Sequence, residues 1–357
     1  MKDINIVFKK FIDIYNEEKD ERDKVIDLKK KLGSGTYGTV REVQIMGKKY
    51  AAKVFKKEKI DENALVKEFK GPNIIKIIYV NSMEISNINY NFVIMEKADL
   101  EDLSTIMEKI FTQNKLKIII NSPFEGETSD NLIRFFSYEF IKGLEIFDRK
   151  DYCHFDIKPN NILMFKYLIP KLSDFSLLRS TNQIINKKGY IEIPGGTSGY
   201  LSPEYYYEEK LNLNAAKKQD YFAIGSTIYQ LKYGVNMIPY KKYEHNIKTA
   251  DYIIDLIQRA KDMIKSNKNS DKDFIKFLCS LIDYKWEERP NFEEIYRDKW
   301  LNKNLNDVKK CYKINFLDTD KLFIELNKSD FILNKKNQLK KNRKRFNFNK
   351  NKHLRKK

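Results

Sequence analysis

Apolar positions in residues 4–15 recur at helical spacing, with Ile4, Val7, Phe8, Phe11, Ile12 and Tyr15 on one stripe. The stripe predicts an amphipathic helix docked on the body of the protein. A helix for a partner or a membrane surface is the alternative. From 27 to 98 the pattern changes to short apolar runs split by glycine and charge. LKKKLGSGTYGTVREVQIMGKKYAAKVF predicts three antiparallel strands, with turns at the glycines and at Met46–Lys48. A short helix at about 60–70 and strands at 74–80 and 90–96 are expected next. After residue 99 helical spacing takes over. Leu132, Phe136, Phe140, Leu144 and Phe147 form one stripe within 130–150, and further helices fit 216–233, 249–265 and 271–284. Past about 304 periodicity fades, and no internal repeat is visible. The order is a small strand-rich lobe followed by a larger helical lobe, an α+β arrangement.

Length and charge refine this picture. The 357 residues suit one large or two medium globular units. The net charge of +18 is uneven: Lys335 to Lys357 hold twelve basic and no acidic residues, which leaves +6 for residues 1–334. Basicity therefore belongs mostly to the tail. Hydrophobic content of 41% with 13% aromatics is enough to fill a core. No uncharged apolar run approaches the roughly 18 residues of a membrane span. The segment MKDINIVFKKFIDIYNEEKDERDK mixes acids and bases, so no signal peptide is expected. Lys2 removes a myristoylation site, and no prenylation cysteine ends the chain. Cys153, Cys279 and Cys311 are too far apart for a disulfide framework or a metal cluster, which suits a reducing compartment.

Three segments carry candidate chemistry. Gly33-Ser34-Gly35-Thr36-Tyr37-Gly38-Thr39-Val40 has glycines spaced to let the backbone approach phosphate oxygens. A dinucleotide loop shares this spacing, but there the third glycine opens a helix, whereas here a strand pattern continues. Ala51-Ala52-Lys53-Val54 follows as a strand whose lysine could reach those phosphates. The strongest segment is His154-Phe155-Asp156-Ile157-Lys158-Pro159-Asn160-Asn161. It fixes a carboxylate, a lysine and an amide on one loop, and Asp174-Phe175-Ser176 adds a second carboxylate. Phosphoryl transfer needs this set: a carboxylate to orient the attacking hydroxyl, a cation to offset moving charge, and oxygens for a metal.

Together these segments resemble the eukaryotic-type protein kinases of the Ser/Thr type, over about Leu28 to Leu301. The family signatures stand here as GSGTYGTV, AAK, HFDIKPNN, DFS and Ser202-Pro203-Glu204. The resemblance implies a kinase domain at 27–303, with an N-lobe at 27–95, a hinge at 96–98 and a C-lobe at 99–303. Residues 1–26 form an extension, 304–334 a second extension and 335–357 a disordered basic tail. It implies an ATP-dependent transfer to Ser/Thr hydroxyls of proteins, with Mg²⁺. A catalytically weak scaffold, or pseudokinase, is the alternative. Gly33, Ser34, Gly35 and Gly38 would cradle the phosphates. Lys53, paired with Glu62 (or Glu68), would position them. Val40, Ala51 and Leu163 would sandwich the adenine, with Met95 as gatekeeper and the Glu96 and Ala98 backbone bonding its edge. Asp102 stands where a ribose contact is expected. Asp156 would be the catalytic carboxylate, Lys158 the charge partner, Thr197 a hydroxyl bridging those two, and Asn161 and Asp174 the metal ligands. Asp220 resembles the buried acid that braces the catalytic loop, and Arg289 the partner of Glu204.

Three departures stand out. Phe155 replaces the arginine that binds an activation-loop phosphate in the family, which points to constitutive or partner-driven activity. Ser176 replaces a glycine and Ser202 an alanine. An intracellular protein, cytoplasmic or nuclear, is expected. KKNRKR at 340–345 is a nuclear-type signal, and the tail a candidate contact for nucleic acid or anionic membrane, with a merely solvated tail as the alternative.

Overall fold

The computed structural model describes residues 2–35, 38–56, 69–112, 128–166, 169–180, 191–192, 194–207, 210–239, 250–267 and 270–303. Helix α1 (Lys2–Asn16) carries the expected stripe, with Val7, Phe8, Phe11 and Ile12 buried. It lies on a five-stranded antiparallel sheet made of β1 (Ile26–Gly35), β2 (Gly38–Ile45), β3 (Lys48–Lys56), β4 (Ile77–Ile85) and β5 (Ile88–Glu96), in the order β1-β2-β3-β5-β4. Alternation along the strands divides the sheet's two faces. Ala52, Val54, Phe92 and Ile94 pack with α1, while Ala51, Phe55, Val93 and Met95 belong to the larger core. Phe11 stacks on Phe92 at 5.1 Å between centroids, and the Arg41 guanidinium lies 4.4 Å over Phe8. Asn16 ties the helix end to the sheet. Its amide donates to Val25 O at 3.0 Å and accepts from Val25 N at 2.7 Å. The docked arrangement follows from the stripe: without the sheet, α1 would leave a row of rings in water.

Two tight hairpins, β2–β3 and β4–β5, use residues of positive φ at the two central positions, Met46 (50°) with Gly47 (75°) and Ser86 (52°) with Asn87 (58°). That is the turn geometry whose twist matches paired strands. Strand β4 starts at Ile77 rather than 74, because residues 74–75 are used elsewhere. Ile74 bridges Leu172 and the Ile75 N–H donates to Leu172 O at 2.9 Å, fastening the sheet to the second lobe. β5 starts at Ile88, two residues before the expected 90. Of the helix expected at about 60–70, residues up to 68, with Glu62 and Glu68, lie outside the described residues, and Phe69 and Lys70 are not helical.

The second lobe opens with α2 (Leu103–Thr112) and α3 (Thr128–Asp148). Short strands follow: β6 (Tyr152–Cys153), β7 (Ile162–Met164), β8 (Pro170–Leu172), β9 (Arg179–Ser180) and β10 (Ile191–Glu192). Then come α4 (Glu204–Tyr207), β11 (Lys210–Leu211), α5 (Leu213–Tyr233), α6 (Ala250–Ser266), α7 (Lys272–Leu281), α8 (Phe292–Tyr296) and α9 (Lys299–Asn302). The strands pair as β6–β9, β7–β8 and β10–β11. Helix α5 starts three residues before the expected 216 because Asn212 caps it, accepting from Ala215 N at 2.9 Å. It is buried on every face, since all residues from Gln219 to Tyr229 are inaccessible. Helix α7 ends short of the expected 284, where Asp283 takes up other partners. Its carboxylate holds Lys261, and its carbonyl accepts from Arg289 Nε at 2.7 Å. Among the described residues no helix is long and apolar enough to cross a membrane. Residues 304–357, with the basic tail and KKNRKR, lie outside the described residues.

Candidate active site

The glycine segment is a hairpin, with Gly33 opposite Val40, Ser34 opposite Thr39 and Gly35 opposite Gly38. Gly38 opens a strand, so the dinucleotide-loop alternative is excluded. A Cβ at Gly38 would stand 2.3 Å from Val54 O, while one at Gly33 would meet nothing within 4 Å. Gly38 thus serves close strand packing, and Gly33 faces open space. Thr36 and Tyr37 lie outside the described residues. Val40 pairs opposite Lys53, and Ala51 opposite Met95. Lys53 shares the strand face of Ala51 and Phe55, away from α1.

At the end of β5 the Glu96 N–H donates to Lys76 O at 2.9 Å, and its carboxylate accepts from Lys76 N and from Lys171 Nζ, each at 2.7 Å. Residues 100–102 then run beside β7. Leu100 N donates to Met164 O and Met164 N to Glu101 O, both at 3.0 Å, and Asp102 bridges Leu163. Val40, Ala98 and Leu163 are partly buried against the core, the accessibility that cleft walls require. The ribose contact expected at Asp102 falls on a carboxylate already employed. It accepts from Thr105 N (3.0 Å) and Thr105 Oγ1 (3.1 Å), capping α2.

The catalytic-loop candidates converge. Asp156 is buried, and its Oδ2 accepts from Lys158 Nζ and from Asn161 Nδ2, both at 2.8 Å. Thr197 Oγ1 donates to Asp156 Oδ1 at 2.6 Å and accepts from Lys158 Nζ at 2.7 Å, bridging the two as the sequence predicted. Pro159–Asn161 form a 3-10 turn that returns the Asn161 amide to the Asp156 carbonyl at 2.7 Å. A Cβ at Gly196 would sit 3.1 Å from Phe155 O, so glycine lets the Thr197 segment come this close.

The loop is held in a costly shape. Phe155 has φ +63°, unfavourable for a bulky side chain. Asp220, fully buried on α5, accepts from His154 N at 2.6 Å and Phe155 N at 2.9 Å, which secures that turn. Burial pushes its carboxyl up to about 7, against the lowering effect of those two N–H bonds. Arg289 and Glu204 form a bidentate pair at 2.7 and 2.8 Å with both side chains fully enclosed.

The family described as "Protein kinase domain" matches residues 26–301. The chain belongs to the protein kinase domain family. Its relatives include 3-phosphoinositide-dependent protein kinase B of Dictyostelium discoideum, 26% identical over 282 residues that span 75% of this chain and 28% of that protein. Serine/threonine-protein kinase ATG1 of Saccharomyces cerevisiae is 23% identical over 78% of this chain and 34% of its own length. CBL-interacting serine/threonine-protein kinase 18 of Arabidopsis thaliana is 25% identical over 83% of this chain and 52% of its own. The chain thus spans about a third of the first two relatives and about half of the third.

The second candidate carboxylate of this kinase domain is Asp174. Ser173 N and Oγ both donate to Asn161 O at 2.9 Å, joining the backbone before Asp174 to Asn161. Asp174 has φ +62° and pairs with Lys53. Phe175–Leu177 continue as a 3-10 turn, and Ser176 is not among the residues of positive φ. Serine therefore fits where the family has glycine. Glu62 and Glu68, the candidate partners of Lys53, lie outside the described residues. Sequence reading passed over His154 as a functional part. Its Nε2–H donates to Ser173 O at 3.0 Å and its Nδ1 accepts from Asp156 N at 3.2 Å, linking both carboxylate segments. Burial lowers its pKa, which keeps the ring neutral. Its place two residues before Asp156 was the available signal.

Burial would raise the Asp174 pKa, but the Lys53 ammonium overrides this and holds it at about 2. A carboxylate with a depressed folded pKa adds stability above its unfolded pKa and loses it as pH falls through the folded one. Stability is therefore expected to drop by up to about 2 kcal/mol between roughly pH 4 and pH 2 on account of this pair. Acid titration of melting temperature checks it, with Asp174→Asn expected to remove that part of the slope.

Proposed function

We propose that this kinase transfers the γ-phosphoryl group of ATP to serine or threonine hydroxyls of protein substrates. The observation that carries the reading is the closed network of Asp156, Lys158, Thr197 and Asn161. In it Asp156 is the acceptor that orients the incoming hydroxyl and takes its proton. Lys158, held by two acceptors, offsets charge on the moving phosphoryl group. Lys53 positions the α- and β-phosphates by leaving its present partner Asp174. Gly33, Ser34, Gly35 and Gly38 bring backbone to the phosphates, and the Glu96–Ala98 hinge bonds the adenine edge between Val40, Ala51 and Leu163.

The donor set fits Mg²⁺. Asp174 offers hard carboxylate oxygens, and the Asn161 amide nitrogen is spent on Asp156, which leaves its oxygen for a cation. Asp174 and the Asn161 oxygen would hold the ion, whose positive charge would offset that of the phosphates when bound.

Phe155 supports activity without loop phosphorylation. Its ring fills an apolar pocket with Cys153, Leu177, Leu211, Ala215 and Ala216, where a charged side chain would have been needed to receive a phosphate. Packing, rather than an anion, orders this part of the loop.

Incubation with Mg–ATP and a degenerate Ser/Thr peptide library tests the proposal, with phosphoserine and phosphothreonine the expected products. Nucleotide-dependent thermal stabilisation with no transfer to any peptide would sink it and leave the scaffold reading.

A further inference from the structure

Four consecutive side chains at the start of α5 reach four different parts of the lobe. Lys217 donates to Asp148 O at 3.0 Å and to Asp151 Oδ1 at 2.9 Å. Lys218 donates to Arg289 O at 2.6 Å. Asp220 holds the catalytic loop as described. Gln219 takes the segment 200–202: its Oε1 accepts from Ser202 N at 2.8 Å and from Ser202 Oγ, and its Nε2 donates to Tyr200 O at 3.1 Å. The amide orientation is fixed by its partners, since a backbone N–H can only donate and a carbonyl only accept. Gln219 and Ser202 are both fully buried.

This clamp sits beside the chemistry. Thr197, three residues before Tyr200, is bonded to both Asp156 and Lys158. Residues 196–202 therefore lie beside the carboxylate that an attacking hydroxyl must reach. Other contacts hold the segment through hydroxyls. Tyr200 Oη donates to Gln230 Oε1 at 2.5 Å, and Tyr206 Oη to Ser198 O at 3.0 Å. Gln219 grips the main chain on both sides of Leu201, at Tyr200 O and Ser202 N, and it adjoins the residue that grips the catalytic loop. One helical turn thereby fixes the distance between the two loops.

We propose that Gln219, with the Ser202 hydroxyl as its partner, is a positioning residue that holds the 196–202 loop in register with Asp156 for the protein substrate. The proposal rests on the transferase reading above and adds the residue that sets its substrate loop. Serine at 202, where the family has alanine, supplies an extra donor to this amide.

Two measurements test it: steady-state kinetics on a degenerate Ser/Thr peptide library with Mg–ATP, and backbone amide exchange over residues 196–206 in the nucleotide-free chain. Gln219→Leu strands the Ser202 N–H and the Tyr200 carbonyl. It is expected to raise the peptide KM on the order of tenfold, with the ATP KM within about twofold and faster exchange at Ser202. Ser202→Ala keeps the N–H bond and should shift both readouts less, in the same direction. An unchanged peptide KM with unchanged Ser202 exchange overturns the proposal. A parallel rise in the ATP KM overturns it too, because that marks general loosening. If Gln219→Leu fails to fold, Ser202→Ala decides alone, and no shift in either readout counts against the clamp. If the wild-type chain transfers no phosphate, the transferase reading fails, while exchange at Ser202 still decides whether the clamp exists.

Discussion

Asp156→Asn is expected to lower kcat for phosphoryl transfer by about 10²–10⁴-fold, the usual cost of losing a positioned general base. Nucleotide-induced thermal stabilisation should survive the change. Asparagine has nearly the same shape, and the network can absorb it. Its oxygen can still accept from Lys158 Nζ and Asn161 Nδ2, where the carboxylate now accepts both at 2.8 Å. Its amide would face Thr197 Oγ1, a hydroxyl able to reverse from donor to acceptor. What disappears is the negative charge that draws a proton from the attacking hydroxyl. Transfer rates measured beside thermal shifts separate the two effects. A kcat within about tenfold of wild type would count against Asp156 as the base.

The largest stability change should come from the enclosed pair at the base of the second lobe. Arg289→Ala is expected to cost about 3–5 kcal/mol, because it leaves the Glu204 carboxylate buried without a counter-charge. The guanidinium also bonds Asp283 O at 2.7 Å and Lys218 O at 3.1 Å, so its loss loosens three segments together. For a domain of this size the melting temperature should fall on the order of 10 °C. The double variant Arg289→Met with Glu204→Leu provides the contrast. Removing both charges should restore much of the loss, since the pair's attraction mainly offsets its own desolvation. Calorimetry on the single and double variants reads both numbers. A loss below about 1 kcal/mol for Arg289→Ala would mean that water reaches Glu204.

Much of the candidate site was legible from spacing and from the family resemblance. Asp156, Lys158 and Asn161 stand on one short loop, and Asp220, Arg289 and Glu204 were located through the resemblance. The β2–β3 hairpin was legible because Gly47 marks a positive-φ turn and apolar residues alternate beside it, whereas the Ser86–Asn87 turn carries no glycine and left the β4–β5 hairpin unread. The two-residue strands β6, β9, β10 and β11 were not, since a periodicity needs more residues than they have. Asp102 shows a different limit. A carboxylate one residue before a helix serves as a cap as readily as a ligand contact, and only its bonds to Thr105 reveal the cap. Gln219 was illegible for a third reason. A single amide next to an acid carries no pattern, and its importance lies in partners brought from residues 200–202 by the fold.

Helix α5 has a consequence for measurement. Amphipathic helices shed amide protons through local fraying and solvent-side opening. From Gln219 to Tyr229 this helix has no solvent side. Its central amides can meet deuterium only when the surrounding lobe comes apart. The opening free energies read from their exchange should therefore converge on one high value, and that value is a thermometer of the whole lobe's unfolding, readable under native conditions without denaturant.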